Sequence, residues 1–329
     1  MPDTAPTLLI VAQSGRLTYE AVLFAASLRK AAPDFAGQLV VAERRSGPLW
    51  RGTPGITDPE ARQLLITLGA DIRPFDSNHF GAQYPQGNKI EALTVLAPNE
   101  PFVFFDTDTL ITGPIDQIAF DFDRPSASMA RTATWPDPPL YGPGYGEIWQ
   151  AIYDRFDVPF AATLDTAQPK DHWERYLYFN AGWFFARDPA AFHARMIDVM
   201  TSLRDDPMEA LASQSLFPWL DQISLPVVIS ELGGGRPDAT LAGLDGDLTH
   251  HWRALPLFYA RASDEQIAFF EDLTSPNKIK RVLKAYEPFK RMIYQRRGTR
   301  VRAMFDRNDL PPKEQSIRAR IKRARLWMR

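Results

Sequence analysis

Two aspartates one residue apart close an apolar run: Phe102-Val-Phe-Phe-Asp106-Thr107-Asp108-Thr109. In an extended chain, residues i and i+2 point the same way, so Asp106 and Asp108 can converge on one ligand. Two carboxylates there suit a hard divalent cation that also grips phosphate oxygens. The pattern is short, and acidic residues also form turns and caps after strands. What raises it above a chance pair is the element that presents it. Four bulky apolar residues in succession suit a strand buried on both faces, as in a parallel sheet covered by helices. Ligands of open α/β sheets sit beyond the carboxyl ends of strands, where this pair falls.

Other segments offer partners. Asn88-Lys89-Ile90-Glu91-Ala92-Leu93-Thr94-Val95-Leu96 has helical spacing, with Ile90, Leu93 and Leu96 on one stripe and Pro98 closing it. Lys89 therefore begins a helix that leads into the aspartate strand. Tyr176 to Phe185 reads as a second buried strand, interrupted by Asn180, Ala181 and Gly182. An amide there needs partners, since a buried unpaired one costs about 1–3 kcal/mol. Trp219-Leu220-Asp221-Gln222 and Leu248-Thr249-His250-His251-Trp252 follow. His250 and His251 would face opposite sides of a strand, so one of the two can easily reach an ion shared with the aspartates.

Taken in order, these pieces resemble the GT-A glycosyltransferases, and within them glycosyltransferase family 8. The matching residues are the early strand Leu8 to Ala12, Lys89, Asp106-Thr107-Asp108, Asn180-Ala181-Gly182, Asp221-Gln222 and His251 before an aromatic, spanning most of residues 7–255. The resemblance implies an α/β, Rossmann-like sheet, mixed but mostly parallel and flanked by helices. It implies that Asp106, Asp108 and His251 bind Mn2+ or Mg2+, and that the donor is a nucleotide sugar of the UDP-sugar type. His251 is preferred over His250 because the family's ligand precedes an aromatic, as His251 precedes Trp252. Lys89, with Thr107 between the aspartates, would contact the donor; Asn180, Asp221 and Gln222 would line the donor-sugar and acceptor pocket as catalytic residues. Gln13, Ser14 and Gly15, at the end of the first strand, would surround the base. The family's usual Gly-x-x-Lys after the histidine is missing: the chain reads His251-Trp252-Arg253-Ala254-Leu255-Pro256, and Arg253 is the candidate replacement as the diphosphate cation. Retention of anomeric configuration is likewise implied by the family.

Such residues answer a chemical need. Breaking the anomeric C–O bond of a sugar nucleotide leaves a diphosphate whose charge grows in the transition state, and fixed positive charge stabilises it without proton transfer.

Composition suits a large globular domain: 329 residues, 45% hydrophobic and 24% charged. The absence of cysteine excludes disulfides, thiolate catalysis and zinc sites of the cysteine type. Apolar runs fall far short of a membrane span, and Met1-Pro-Asp-Thr lacks a basic leader region, so cytoplasmic residence, at the inner membrane face where required, is the expectation. Leu8–Ala12 and Leu39–Ala42 read as strands, Tyr19–Lys30 as a helix, and Asp58–Leu68 as a helix with Asp58 as N-cap and Pro59 first inside. Thr134–Gly146 interleaves Trp135, Tyr141 and Tyr145 with four prolines and three glycines, a surface loop that either offers aromatic faces to an acceptor sugar or patches the core.

Charge divides the chain. From Lys278 to Arg329 there are 18 Lys and Arg against four Asp and Glu, a balance of +14, whereas the remainder carries 20 against 36, a balance of −16. We therefore divide the chain into a catalytic domain, 1–275, and a basic amphipathic helical C-terminal segment, 276–329. Its basic residues alternate with Phe289, Ile293, Trp327 and other apolar side chains, a pattern suited to an anionic membrane surface, with the apolar residues adding a salt-resistant part. Docking on the acidic body and nucleic-acid binding are the competing readings. The function expected is metal-dependent transfer of a sugar to a saccharide or glycolipid hydroxyl. A sugar-nucleotide pyrophosphorylase, for which Gln13-Ser14-Gly15-Arg16 would be the phosphate loop, and a non-catalytic carbohydrate-binding scaffold are the alternatives.

Overall fold

The computed structural model describes residues 5–131 and 134–328. Its strands are β1 (Thr7–Ala12), β2 (Leu39–Arg44), β3 (Ala70–Phe75), β4 (Phe102–Phe105), β5 (Thr109–Ile111), β6 (Ser126–Ala127), β7 (Trp183–Ala186) and β8 (Thr249–His251). Six of them form one sheet in the order β3-β2-β1-β4-β7-β6, and β5 pairs separately with β8. β1, β2, β3 and β4 run parallel, while β7 is antiparallel to both β4 and β6. The mixed, mostly parallel α/β sheet flanked by helices is therefore present.

Burial on both faces is visible residue by residue. Leu8, Ile10, Val103 and Phe105 enter one apolar cluster, and Leu9, Val11, Phe102 and Phe104 enter the other. Alternation along β1 and β4 thus feeds two cores, which is why neither strand reads as amphipathic. One core is covered by α1 (Arg16–Ala31), with α2 (Pro59–Thr67) beside it, whereas α3 (Asn88–Glu91) places Ile90 in the other core. The other face is covered by α4 (Tyr145–Arg155), α5 (Pro189–Asp205) and α6 (Leu220–Glu231). Asp58 caps α2 as expected, accepting from the backbone N–H of Glu60 and Ala61 ahead of Pro59.

The second buried strand is shorter than its apolar pattern. Residues 176–182 form no strand, and pairing with β4 starts only at Trp183. Ala181 has φ 57°, a left-handed conformation that an L-residue adopts at a cost of roughly 1–2 kcal/mol and that breaks a ladder. Apolar burial without strand geometry explains the misreading. Of the loop aromatics, Trp135 is buried edge-to-face on Trp149 at 5.2 Å and Tyr145 stacks on Tyr176, whereas Tyr141 is 92% exposed.

After β8 come α7 (Leu255–Arg261) and α8 (Asp264–Thr274), then the basic segment with α9 (Asn277–Leu283), α10 (Glu287–Phe289), α11 (Arg297–Arg302) and α12 (Glu314–Arg323). Val282, Leu283, Phe289, Met292, Val301, Ile317 and Ile321 join the same apolar cluster as β1 and α1, and Ile293 and Trp327 pack partly buried against it. The segment's apolar side chains thus face the protein. Tyr286 stacks on Tyr19 at 5.1 Å, and Gly298 lies so close to Tyr259 that a Cβ would stand 2.3 Å from its ring. Lys278, Lys284, Arg296, Arg300, Arg323 and Arg325 remain exposed. Among the described residues no helix is long and apolar enough to cross a membrane.

Candidate active site

The short β5–β8 ribbon assembles the site. β5 begins immediately after Asp108, Thr109 pairs with His251, and the Trp252 N–H donates to Asp108 O at 2.9 Å. His251 Nε2 consequently stands 3.1 Å from Asp108 Oδ1 and 3.8 Å from Asp106 Oδ2. One ligand atom from each of Asp106, Asp108 and His251 lies within 4.8 Å of the others. Two carboxylates and an imidazole fit Mn2+ well and Mg2+ less well, since magnesium favours an all-oxygen shell. His250 points the other way, edge-on to Phe258 at 5.3 Å, where burial drives its pKa down to about 4. Asp106-Thr107-Asp108 itself is a turn rather than extended strand. Thr107 donates to Val11 O at 2.7 Å, facing β1, so the carboxylates still converge.

Gly182 permits this approach: a Cβ there would lie 2.7 Å from His251 Nδ1 and 2.8 Å from Asn180 Oδ1. Its own N–H donates to Asn180 Oδ1 at 2.6 Å, and its carbonyl accepts from the Asp106 N–H at 2.8 Å. Asn180 Nδ2 donates to Ala130 O, so both polar atoms of this half-buried amide have partners.

Lys89 is the hub of the other side. Its Nζ lies 3.0 Å from Asp106 Oδ1, 3.4 Å from Asp221 Oδ2 and 3.2 Å from Ala181 O, the carbonyl that the left-handed turn presents. Burial opposes the ammonium charge, yet Asp106 and Asp221 outweigh it and raise the Lys89 pKa, so Lys89 is cationic. Burial also raises Asp106, with Lys89 and His251 pulling against it. For His251 burial acts downward, but Asp108 and Asp106 prevail and raise its pKa. Asp221 is 1% exposed and accepts from Tyr84 Oη at 2.6 Å; Gln222 Oε1 accepts from Tyr178 Oη at 2.7 Å.

Three connected cavities result. An inner cavity of about 270 Å³ is bordered by Gln13, Arg16, Asn88, Lys89 and the two aspartates. A central one of about 350 Å³ adds Asn180, Asp221, Gln222, His251 and Arg253, and an outer one of about 280 Å³ lies beyond His251. Ser14 and Gly15 are exposed at the turn into α1 and border none of these cavities. Arg253 has φ 59° and reaches Ala130 O at 3.4 Å and Glu314 at 3.8 Å.

Several bordering residues carry no sequence signal. Asn88 is 3% exposed, and among the described residues neither polar atom of its amide has a hydrogen-bond partner, nor does Gln86 Oε1 beside it. Arg16, which the sequence offered only within a faint phosphate-loop pattern, sits 3.7 Å from Asp108. Glu314 and Arg318 enter from α12 and border the central cavity, with Glu314 also bridging to Arg261 at 3.0 Å. Nothing in the spacing of the basic segment marks these two among its charges.

Comparison with known proteins follows the same direction. Residues 8–233 match the Rhodobacterales glycosyltransferase domain, and the chain belongs to that family. It is a glycosyltransferase by that membership, which sets aside the pyrophosphorylase and scaffold readings. The chain is similar to the galactosyltransferase LgtC, solved with donor and acceptor sugar analogues, with 14% identity and TM-score 0.49 over 83% of this chain and 99% of that one. It is similar to the bifunctional glycosyltransferase WbbM (14% identity, TM-score 0.45, 86% of this chain, 52% of that one). It is also similar to GlyE of Streptococcus pneumoniae TIGR4 (11%, 0.43, 91% and 64%). At such scores the superpositions carry no weight of their own, and the assignment rests on the family match. No curated protein matches the chain.

Proposed function

We propose that the protein transfers a sugar from a nucleotide-sugar donor, held with a divalent ion at Asp106, Asp108 and His251, to a hydroxyl of a saccharide or glycolipid. The observation that carries this reading is the convergence of those three ligand atoms at the carboxyl end of β4. When bound, the ion would supply positive charge to the departing diphosphate. Lys89, locked between Asp106 and Asp221, holds a second positive charge beside the same place without having to reorganise. The unpartnered Asn88 amide and Gln86 Oε1 offer hydrogen bonds to the nucleoside, alongside Gln13. Asn180, Asp221 and Gln222 border the cavity where the transferred sugar and the accepting hydroxyl would meet. Tyr84 and Tyr178 fix the last two; burial raises the pKa of both phenols, so they remain donors. Arg253 is the candidate diphosphate cation. A UDP-sugar donor and retention of configuration rest on the family resemblance. Residence in the cytoplasm, with peripheral contact to an anionic inner membrane face through 276–329, would bring the enzyme to a lipid-linked acceptor.

A panel of sugar nucleotides tests this by thermal stabilisation with and without Mn2+. A ligand that binds only the folded state raises stability by RT ln(1 + [L]/Kd), so the right donor should stand out. Stabilisation that needs the ion and disappears in Asp106→Asn is expected. Absence of any ion-dependent stabilisation across the panel overturns the proposal.

A further inference from the structure

Arg131 is a cation of the cleft that, among the described residues, no carboxylate pairs with. It borders both the central cavity, with Asp106 and Asp108, and the outer cavity beyond His251. Its guanidinium lies 4.1 Å from the centre of the Trp173 ring and 5.4 Å from that of Tyr178, and it donates to Thr134 Oγ1 at 3.5 Å. No carboxylate oxygen among the described residues comes within 4.0 Å of it. Glu174, the nearest acidic influence, turns instead to His172 at 3.7 Å.

Its neighbours are different. Lys89 is matched by Asp106 and Asp221, Arg16 by Glu20 at 2.7 Å, and Arg261 and Arg318 by Glu314 at 3.0 and 2.6 Å. Burial lowers the Arg131 pKa to about 10, so the group is still charged at neutral pH. Aromatic faces partly replace its hydration, which a weakly hydrated, planar guanidinium tolerates better than an ammonium. The backbone beside it is held in place: the carbonyl of Ala130 accepts from both Asn180 Nδ2 and Arg253 Nη2. The chain thus fixes a half-buried charge at the mouth of the acceptor side and leaves its hydrogen-bonding fork open.

We propose that the acceptor is an anionic saccharide whose carboxylate or phosphate is bound by Arg131. This rests on the transfer reading given above. The guanidinium fork matches either group through two parallel hydrogen bonds. Arg131 would then be a specificity residue that rejects neutral acceptors by leaving its own charge uncompensated.

The test titrates the full chain with glucose, glucuronate and glucose 6-phosphate by ligand-observed NMR, with and without Mn2+ and the nucleotide that stabilises it. The same series is run on Arg131→Gln and Arg131→Lys. We expect at least one charged sugar to bind tenfold or more tightly than glucose, and which one it is tells carboxylate from phosphate. Arg131→Gln should erase the preference while nucleotide affinity and melting temperature stay unchanged, and Arg131→Lys should keep a weaker preference. Equal binding of all three sugars, or a preference that survives Arg131→Gln, overturns the proposal. So does a loss of nucleotide affinity in Arg131→Gln, which would move its charge to the donor. A chain that binds no nucleotide would defeat the transfer reading, while the sugar titrations would still report on Arg131.

Discussion

The cations of the cleft are balanced in two different ways. Beside the two aspartates the cations are matched: Lys89 lies between Asp106 and Asp221, and Arg16 lies against Glu20 and near Asp108. Farther out, Arg261 and Arg318 share Glu314, whereas Arg131 rests on Trp173 and Tyr178 with no carboxylate oxygen within 4.0 Å among the described residues. A neutralised network holds its charges in place before the ligand arrives. An uncompensated cation is poised for a ligand that brings the missing charge. The first arrangement suits a dianionic donor that comes with its own cation, and the second suits a single anionic group.

The largest expected effect breaks the matched cluster around the two aspartates. Asp106→Asn and Asp108→Asn should each lower turnover by roughly 10²–10³-fold or more, the scale seen when one electrostatic stabiliser of a transition state is removed. Melting temperatures should change little, because both carboxylates face the cleft rather than a core. Initial rates at saturating Mn2+ provide the measurement, and wild-type rates in either variant would remove the ion from the mechanism.

The next effect separates adjacent histidines. His251→Ala should weaken Mn2+ binding by more than the ~10-fold that loss of an outer-shell partner costs. His250→Ala should leave the ion alone and instead lower stability, since its half-buried ring packs edge-on against Phe258. A metal titration that ranks the two variants the other way would give the role to His250. Weaker still is Asn88→Ala: one or two hydrogen bonds to the nucleoside are worth about 1–2 kcal/mol, or on the order of tenfold in Kd. Unchanged nucleotide affinity would mean that the Asn88 amide is not a donor contact.

What the sequence made legible follows from locality. β1, β4, α2 with its Asp58 cap, and the Asp106–Asp108 pair are each specified within a few residues, and all were readable. His251 could be singled out from a family pattern, but its reason is long-range: pairing of Thr109 with His251 across the β5–β8 ribbon. The stretch before β7 was misread because its apolar residues are buried in a coil, and burial alone does not distinguish coil from strand. Asn88, Arg131 and Glu314 carried no signal, since what marks them is the presence or absence of partners far away in the chain. Arg131, for instance, is distinguished by lacking what Lys89 has.

The smallest expected effect concerns the basic segment and extends the contrast between matched and unmatched charge to the surface. Its pattern suggested a membrane-facing helix with an apolar, salt-resistant component, but Phe289 is 3% exposed and Ile293 and Trp327 pack against the core. Any attraction to an anionic bilayer is left to exposed cations such as Lys278, Arg300 and Arg323. Each contributes about 1 kcal/mol near such a surface, and the attraction decays within a Debye length of roughly 8 Å at physiological ionic strength. Sedimentation of the full chain with anionic liposomes should therefore be complete at low salt and abolished at high salt. Lys278→Glu, Arg300→Glu and Arg323→Glu should each weaken it modestly and additively. A fraction that stays bound at high salt would require apolar side chains to leave the core for the lipid, and a chain that never sediments would assign the basic segment to the protein body alone.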